Sequence, residues 1–211
     1  SLQDTSGIDY MFSWHGNADL IVAIIKLFED LKNADNDILE VGVQSILLVE
    51  DSVRYYSTYL PELYKMILKQ STEFLKETLN EQQRKHMKRS RPKILLATNL
   101  DDAMSMYEKY KSNLLGVISD VGFCCHRGEG SDKEQLDAGI QLVSHIKADD
   151  PMMPVLLQSS QDCISAEAER LGVGFLRKYS KTLMIQLYDY IRDEFAFGDF
   201  VFRDSSKIEY G

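Results

Sequence analysis

The sequence predicts an α/β fold in which a five-stranded parallel sheet is covered by helices on both faces. Short apolar runs alternate with segments of helical periodicity from Val43 to Phe195. Alternating strands and helices build parallel sheets, and the right-handed crossovers between them give a doubly wound (βα)5 arrangement. A hydrophobic content of 44% and a charged content of 27% are those of an ordinary globular protein.

The five predicted strands are short apolar runs, and the segments after them carry apolar residues at three- and four-residue spacing, which predicts helices. In chain order the strands cover Ile46–Val49, Lys93–Thr98, Leu114–Ser119, Pro154–Gln158 and Val173–Arg177. The helices cover Tyr56–Leu79, Asp101–Lys111, Ala138–Lys147, Ala166–Leu171 and Thr182–Phe195. The first helix is unusually long and contains Pro61, which is expected to kink the helix or to mark a restart.

Residues 1–42 precede the sheet and form a predicted extension. They contain a predicted strand, Ile8–Trp14, followed by an apolar helix, Ala18–Leu31. This strand–helix pair either packs on an open face of the main domain, residues 43–195, or ends a preceding, degenerate domain of the same kind. Alternating aromatic residues after the main domain indicate a strand that leads into another module, so residues 196–211 are expected to be a linker.

Composition excludes several functional classes. The formal net charge is −9, so the surface is expected to repel nucleic-acid phosphates. The chain has neither an apolar stretch of about 18 residues nor a signal-peptide pattern, so no membrane partner is expected. Cys124, Cys125 and Cys163 cannot all pair, and a disulfide framework is therefore not expected. These features together predict a cytoplasmic location.

Polar side chains follow four of the five predicted strands. Glu50 and Asp51 follow the first strand, Asp120 the third, Ser159 the fourth and Lys178 the fifth. The carboxyl ends of parallel strands meet at one edge of a doubly wound sheet, where ligands bind. Three carboxylates at this edge repel one another and need a cation, and oxygen ligands favour Mg²⁺. A serine hydroxyl and a lysine ammonium suit a phosphoryl group.

Four sequence blocks at these strand ends resemble those of response-regulator receiver domains, the CheY-like family with a flavodoxin-like fold. The blocks are Leu47–Ser52, Val117–Asp120, Pro154–Ser159 and Gly174–Lys178. Each block alone is unspecific, but their order and the polar residue at each strand end are typical of the family.

The resemblance implies a mechanism. Asp120 would accept a phosphoryl group as an acyl phosphate. Asp51 and Asp120 would bind Mg²⁺ directly, Glu50 would act through a water molecule, and the Gly122 carbonyl would be a further ligand. Lys178 and the metal would neutralise charge on the transferred group. Catalysis is then limited to self-phosphorylation and dephosphorylation, so the chain is expected to be a signalling module and not an enzyme of metabolism.

The resemblance also implies a switch and its partners. Ser159 would move to bond the phosphoryl group and Phe175 would follow it inward, which changes an output surface. The implied partners are a histidine kinase or phosphotransfer protein and adjacent domains of a longer chain, with a second copy of the chain as a further candidate.

Some positions depart from the family pattern. Tyr179 follows Lys178 where the family has a proline, and Gly122 provides no side chain that could orient or block an attacking water, which puts the acyl-phosphate lifetime in question. The alternative is therefore a degenerate pseudo-receiver that docks or dimerises without phosphate. An aspartyl phosphatase or Toprim nuclease would carry a second acidic residue two positions after the first, but Asp51 is followed by Ser52 and Val53.

Two further features lie outside the strand ends. The N-terminal pair and Phe197–Arg203 together resemble the N-terminal regulatory region of phosphoenolpyruvate synthase-like bacterial proteins of the pyruvate, phosphate dikinase family. The run Arg84–Arg91 is a basic island in an acidic chain. It is interpreted as a solvated helix end, since the helix dipole favours cations there, with contact to nucleic acid, a phosphorylated partner or an acidic domain as alternatives.

Overall fold

The computed structural model describes residues 9–77, 91–126, 134–195, 202–203 and 209–210. In chain order the strands are β1 (Ser45–Val49), β2 (Lys93–Ala97), β3 (Leu114–Asp120), β4 (Phe123–Cys124), β5 (Glu134–Gln135), β6 (Val155–Ser159), β7 (Gly174–Arg177), β8 (Phe202–Arg203) and β9 (Glu209–Tyr210). The helices are α1 (Asp19–Ala34), α2 (Val53–Glu77), α3 (Leu100–Tyr110), α4 (Ala138–Asp149), α5 (Ile164–Arg170) and α6 (Leu183–Asp193). A π-helical segment, Asp35–Glu40, continues α1, and a 3₁₀ turn, Lys111–Asn113, follows α3.

Five parallel strands form the central sheet in the order β2-β1-β3-β6-β7. The chain thus moves from β1 outward to β2, returns to the other side of β1 and continues in one direction. This order makes the gap between β1 and β3 the topological switch point, where ligands bind in doubly wound folds. The predicted fold class is confirmed, and every predicted strand and helix from residue 43 to 195 is present with ends shifted by a few residues.

The two faces of the sheet are covered by separate sets of helices. Leu48 of β1 belongs to a buried cluster that it shares with α1, α2 and α6. Leu47 and Val49 belong to the opposite cluster, which contains residues of α3, α4 and α5. Because side chains alternate along a strand, the continuous apolar runs of the sequence supply both faces at once.

Helix α2 belongs to the core for much of its length. It is a single helix that includes Pro61, so of the two expected effects of this proline, a kink or a restart, the restart is excluded. Leu60, Leu63, Tyr64 and Ile67 are buried around the proline. The packing of these side chains against the sheet offsets the loss of the one backbone hydrogen bond that a proline removes from a helix.

The predicted N-terminal strand Ile8–Trp14 is wrong, whereas the helix after it is present as α1. Residues 9–17 have no regular structure and pair with no strand of the described residues. Two of their polar groups bond to other elements: the Tyr10 hydroxyl donates to the Leu96 carbonyl at 2.8 Å, and the Ser13 N–H donates to the Ser57 hydroxyl at 2.9 Å. Tyr10 and Phe12 pack against the core, while Met11 between them is half exposed.

Two other sequence predictions concern segments that the structure covers in part. Residues 84–90 of the basic run and most of the stretch Phe197–Phe202 lie outside the described residues. Arg91, the last residue of the basic run, is buried, so the interpretation as a solvated helix end is wrong for this residue. After residue 195, β8 and β9 pair as a short antiparallel ladder. The proposed domain limits at 42/43 and 195/196 stay predictions.

The cysteines and the apolar character of the helices are the subjects of two expectations from composition. None of the three cysteines, all of which lie in the described part of the chain, forms a disulfide: Cys124 is buried, Cys125 is half-buried and Cys163 is exposed. Among the helices of the described residues, none combines the length and the apolar character that crossing a membrane requires.

Candidate functional site

Three acidic residues predicted from the strand ends converge at the carboxyl edge of the sheet. Glu50 and Asp51 directly follow β1, and Asp120 is the last residue of β3, the neighbouring strand. One carboxylate oxygen of each residue lies within 4.8 Å of the corresponding oxygens of the other two. Glu50 is buried, and the other two are half-buried. The parallel pairing of β1 with β3 is what brings together groups that lie far apart in the sequence.

Lys178 lies among these carboxylates, directly after β7. Its Nζ is 2.8 Å from Glu50 Oε2 and 2.5 Å from Asp120 Oδ2, and it donates a hydrogen bond to each. The side chain of Lys178 is only 6% exposed. The ammonium therefore acts as the buried counterion of two acidic residues, as hydrogen-bonded charge pairs in a low-dielectric site do.

Burial at the sheet edge disfavours the ionised forms of Glu50 and Asp51. Burial raises the pKa of Glu50 to about 8, with the charge of Asp120 acting in the same direction and Lys178 opposing it. Burial also raises the pKa of Asp51. Burial alone would lower the pKa of Lys178, but the carboxylates of Glu50 and Asp120 outweigh it, so that this pKa is raised. A further cation at this edge would relieve the repulsion among the carboxylates.

Backbone N–H groups fix the orientation of the carboxylates. The Val121 N–H donates to Asp120 Oδ1 at 2.7 Å, and the Ser52 N–H donates to Glu50 Oε1 at 3.2 Å. These bonds leave the second oxygen of each carboxylate directed to Lys178. In Glu50 and in Asp120, one carboxylate oxygen is thus held by a backbone N–H and the other by Lys178. Neither carboxylate can rotate freely, so the two acidic groups keep one geometry.

The chain after Asp120 forms a small ladder that supports Asp51. Strand β4 pairs with β5 in antiparallel register, with Phe123 opposite Gln135. Within β4, the Cys124 N–H donates to Asp51 Oδ2 at 3.2 Å. The segment that follows Asp120 therefore contacts the acidic cluster through its backbone.

Gly139 allows the first turn of α4 to approach Asp120 closely. A Cβ at this position would lie 2.1 Å from the Asp120 carbonyl oxygen and 2.8 Å from Val121 Cα. The Gly139 N–H donates to the Val121 carbonyl at 2.8 Å. The sequence pattern placed Gly139 at the start of this helix, but only the packing shows that a side chain there would collide with the backbone of Asp120.

The remaining predicted site residues lie near the same edge. Ser159 ends β6 and is buried, and its hydroxyl accepts from the Gln161 N–H at 3.1 Å. Phe175 lies on β7 beside Leu157 and packs, half-buried, against the cluster on the face of α3, α4 and α5. Gly122 is half-buried two residues after Asp120. The roles of these residues as switch and metal ligand stay predictions.

Sequence reasoning missed an aromatic group on α2. The ring of Tyr55 lies with its centroid 4.1 Å from Lys178 Nζ. It stacks on Tyr59 at 5.8 Å and meets the edge of Tyr179 at 5.4 Å. Tyr55 and Tyr59 are four residues apart on a helix and therefore share one face, a spacing that could have identified them.

Gln158 is a second residue that the sequence analysis did not single out. It lies beside Asp120 in the ladder between β3 and β6, and its side chain is buried. Its amide Nε2 has no hydrogen-bond partner among the residues that the structure describes. A polar residue within an otherwise apolar strand was the available signal, since buried amides normally find partners.

No protein-family model and no curated protein sequence matches the chain. Among solved structures, the chain is similar to a response regulator receiver domain protein from Clostridium thermocellum, with 17% identity and a TM-score of 0.46 over 74% of this chain and 96% of that one.

Two further structures belong to the same class. The receiver domain of NtrX from Brucella abortus shares 21% identity at a TM-score of 0.40, covering 69% of this chain and 95% of that chain. A CheY-like receiver domain protein from Methanospirillum hungatei JF-1 shares 11% identity at a TM-score of 0.44, covering 74% and 96%. These similarities give no support to the further resemblance to phosphoenolpyruvate synthase-like proteins.

Proposed function

We propose that this chain is a receiver module of a phosphorelay, which accepts a phosphoryl group on Asp120 in the presence of Mg²⁺. The convergence of three carboxylates with one buried lysine at the switch point of the sheet is the observation that supports it. Charged groups of both signs close together at one edge of the sheet are suited to binding a metal ion and a phosphoryl group together.

The donor set fits Mg²⁺. The three carboxylate oxygens lie within 4.8 Å of one another, and Mg²⁺ prefers a few such oxygens together with water and phosphate oxygens. Asp51 and Asp120 would hold the ion directly, Glu50 would act through water, and the carbonyl of Gly122 would be a further ligand. The bound ion would supply positive charge to the oxygens of the phosphoryl group.

Asp120 is suited to the role of acceptor because both of its oxygens are oriented by partners. In the reaction, a carboxylate oxygen of Asp120 forms a bond to phosphorus, while the bond between phosphorus and the donor breaks and its electron pair leaves with the donor. Asp120 Oδ2 accepts a hydrogen bond from Lys178 Nζ. The ammonium must give up this hydrogen bond and donate to the oxygens of the incoming phosphoryl group. Phosphoryl transfer depends mainly on such positioning and charge neutralisation.

Movements of Ser159 and Phe175 would carry the change at Asp120 to the surface of the domain. The hydroxyl of Ser159 would give up its hydrogen bond from the Gln161 N–H and donate a hydrogen bond to the phosphoryl group. Phe175 would then move further inward, which would change the surface formed by α5, β7 and α6. A histidine kinase or phosphotransfer protein would supply the phosphoryl group, and adjacent domains of a longer chain or a second copy would respond to the change.

Phosphorylation by acetyl phosphate with Mg²⁺ tests the proposal. Intact-mass measurement should show one added phosphoryl group on the wild type and none on Asp120→Asn. The matched control is Asp189→Asn, because Asp189 is an aspartate on α6 that pairs with Arg192 away from the sheet edge, and this variant should be modified like the wild type. A wild-type protein that is neither modified nor able to bind beryllofluoride with Mg²⁺ would contradict the proposal and favour a docking module.

A further inference from the structure

Tyr55 is the third partner of the ammonium group of Lys178. An ammonium has three N–H donors, and Glu50 and Asp120 take two of them. The ring of Tyr55 lies with its centroid 4.1 Å from Nζ, inside the distance of about 6 Å at which a lysine ammonium is attracted to an aromatic face. We infer that Tyr55 is a positioning residue, whose ring holds Lys178 at the acidic edge for phosphoryl transfer. This inference rests on the proposed function.

The ring of Tyr55 is itself held from two sides. Tyr59, one helical turn further along α2, stacks on it with an angle of 23° between the ring planes. Tyr179, the residue directly after Lys178, meets it edge-on at 5.4 Å. The backbone of Tyr179 adopts a φ of 67°, a left-handed conformation that bulky side chains rarely take. This conformation sets the side chain of Tyr179 against Tyr55 although Tyr179 is 73% exposed.

Phosphorylation of Asp120 would change the hydrogen bonds of Lys178 to the carboxylates but not its contact with the ring of Tyr55. When a phosphoryl group bonds to Asp120, Lys178 must give up its hydrogen bond to Oδ2 and approach the phosphoryl oxygens. An aromatic face attracts a cation from a range of directions, so the contact with Tyr55 can persist during this exchange. A lysine side chain has four rotatable bonds and loses considerable entropy when it is fixed, and a ring that restricts it beforehand lowers that cost.

The test compares Tyr55→Leu, which removes the ring, with Tyr55→Phe, which keeps it. Tyr188→Leu is the matched control, because the Tyr188 ring faces Arg192 at 5.8 Å on α6 and contacts a cation away from the site. Thermal unfolding of each variant establishes that it is folded. The first readout is the NMR shift of the Lys178 side chain without Mg²⁺, which the ring current of Tyr55 moves upfield. The second is the Kd for beryllofluoride at saturating Mg²⁺.

Tyr55→Leu should lose the upfield shift of Lys178 and bind beryllofluoride about tenfold more weakly, while its Kd for Mg²⁺ stays near that of the wild type. Tyr55→Phe and Tyr188→Leu should keep both wild-type properties. A Tyr55→Leu protein with the wild-type shift and wild-type beryllofluoride binding overturns the inference, as does a Tyr55→Phe protein that behaves like Tyr55→Leu.

The two readouts separate this inference from the proposed function. The Lys178 shift needs no phosphoryl analogue, so it decides the contact between Tyr55 and Lys178 by itself. Failure of the wild type to bind beryllofluoride overturns the proposed function and with it the role of this contact in phosphoryl transfer. Wild-type binding with an unaffected Tyr55→Leu variant overturns only the role of Tyr55.

Discussion

Asp30 of α1 and Arg91, two residues before β2, form a buried ion pair that fastens the N-terminal helix to the edge of the sheet. The Arg91 guanidinium donates to both Asp30 oxygens, at 2.6 and 3.0 Å. Asp30 also accepts from the Tyr64 hydroxyl of α2 at 2.8 Å and from the Ile94 N–H of β2 at 3.0 Å. One carboxylate therefore joins α1, α2 and β2.

Replacement of Asp30 by alanine is expected to destabilise the protein by about 3–5 kcal/mol, because it leaves the buried guanidinium of Arg91 without its partner. The free energy of unfolding from urea denaturation measures the loss. Glu29→Ala is the control: Glu29 is the neighbouring residue on the same helix and pairs with Lys26 on the exposed side. This variant should lose less than about 1 kcal/mol.

A loss for Asp30→Ala no larger than that for Glu29→Ala would contradict this prediction. It would indicate that α1 adds little to the stability of the domain, as expected for the remnant of a separate unit. A large loss would instead place residues 19–34 within the same cooperative unit as the sheet.

The sequence could predict the acidic edge because its signal is local. A buried parallel strand reads as an apolar run, so the polar residues Glu50, Asp51 and Asp120 mark the strand ends by contrast. Parallel order then requires these ends to meet, and no further contact information was needed. Lys178 followed from the same reasoning at the end of the fifth strand.

Arg91 shows what the sequence could not predict. Its neighbours from residue 84 onward are mostly basic, a pattern that indicates solvent exposure. Its burial depends on Asp30, which is 61 positions away in the sequence. The predicted strand at Ile8–Trp14 failed for a related reason, since a strand requires a free sheet edge beside it and the local sequence does not show whether one exists.

Gly139→Ala is expected to disturb the acidic edge, because the new methyl group would collide with the backbone of Asp120 and Val121. Overpacking of this kind costs about 1–3 kcal/mol, and the shift of Asp120 should also weaken Mg²⁺ binding. Urea denaturation and calorimetric titration with Mg²⁺ measure the two effects.

Gly174→Ala is the matched variant for this experiment. Its methyl group would meet the ring of Tyr190 at the beginning of β7, at the end of the strand away from Lys178. It should lose stability and keep the Mg²⁺ affinity of the wild type. Equal Mg²⁺ affinities for Gly139→Ala and Gly174→Ala would show that the contact of α4 with Asp120 does not set the metal site.

Buried tyrosines are expected to make the protein sensitive to alkaline pH. Burial raises the pKa of Tyr190 to about 12, and it also raises the pKa values of Tyr59 and Tyr64. In the unfolded chain these groups ionise near pH 10, so above that pH the unfolded state loses protons that the folded state keeps. Stability should thus be fully present below about pH 10 and fall as the pH rises toward the folded pKa values.

The tyrosinate absorbance and the urea midpoint, followed together from pH 8 to 12, test this prediction. The buried tyrosines should ionise only when the protein unfolds, so that part of the absorbance change coincides with loss of helical circular dichroism. Complete ionisation of all tyrosines near pH 10 in a protein that stays folded would contradict it.

Lys178→Met should separate metal binding from phosphoryl transfer. The substitution removes the ammonium that pairs with Glu50 and Asp120. A bound Mg²⁺ is then no longer repelled by the positive charge of Lys178. We expect Mg²⁺ to bind at least as tightly as in the wild type. The rate of acyl-phosphate formation should fall by about 100-fold or more, because one donor that stabilises the charge of the phosphoryl group is lost.

Lys111→Met is the control for this substitution, since Lys111 pairs with Asp149 and Glu108 on the exposed surface and should affect neither property. Calorimetric titration with Mg²⁺ and the time course of modification by acetyl phosphate give the two values for each protein. If Lys178→Met is phosphorylated at the wild-type rate, the ammonium serves only as a counterion for the buried carboxylates. Much weaker Mg²⁺ binding would mean instead that Lys178 holds the carboxylates in the arrangement that the metal requires.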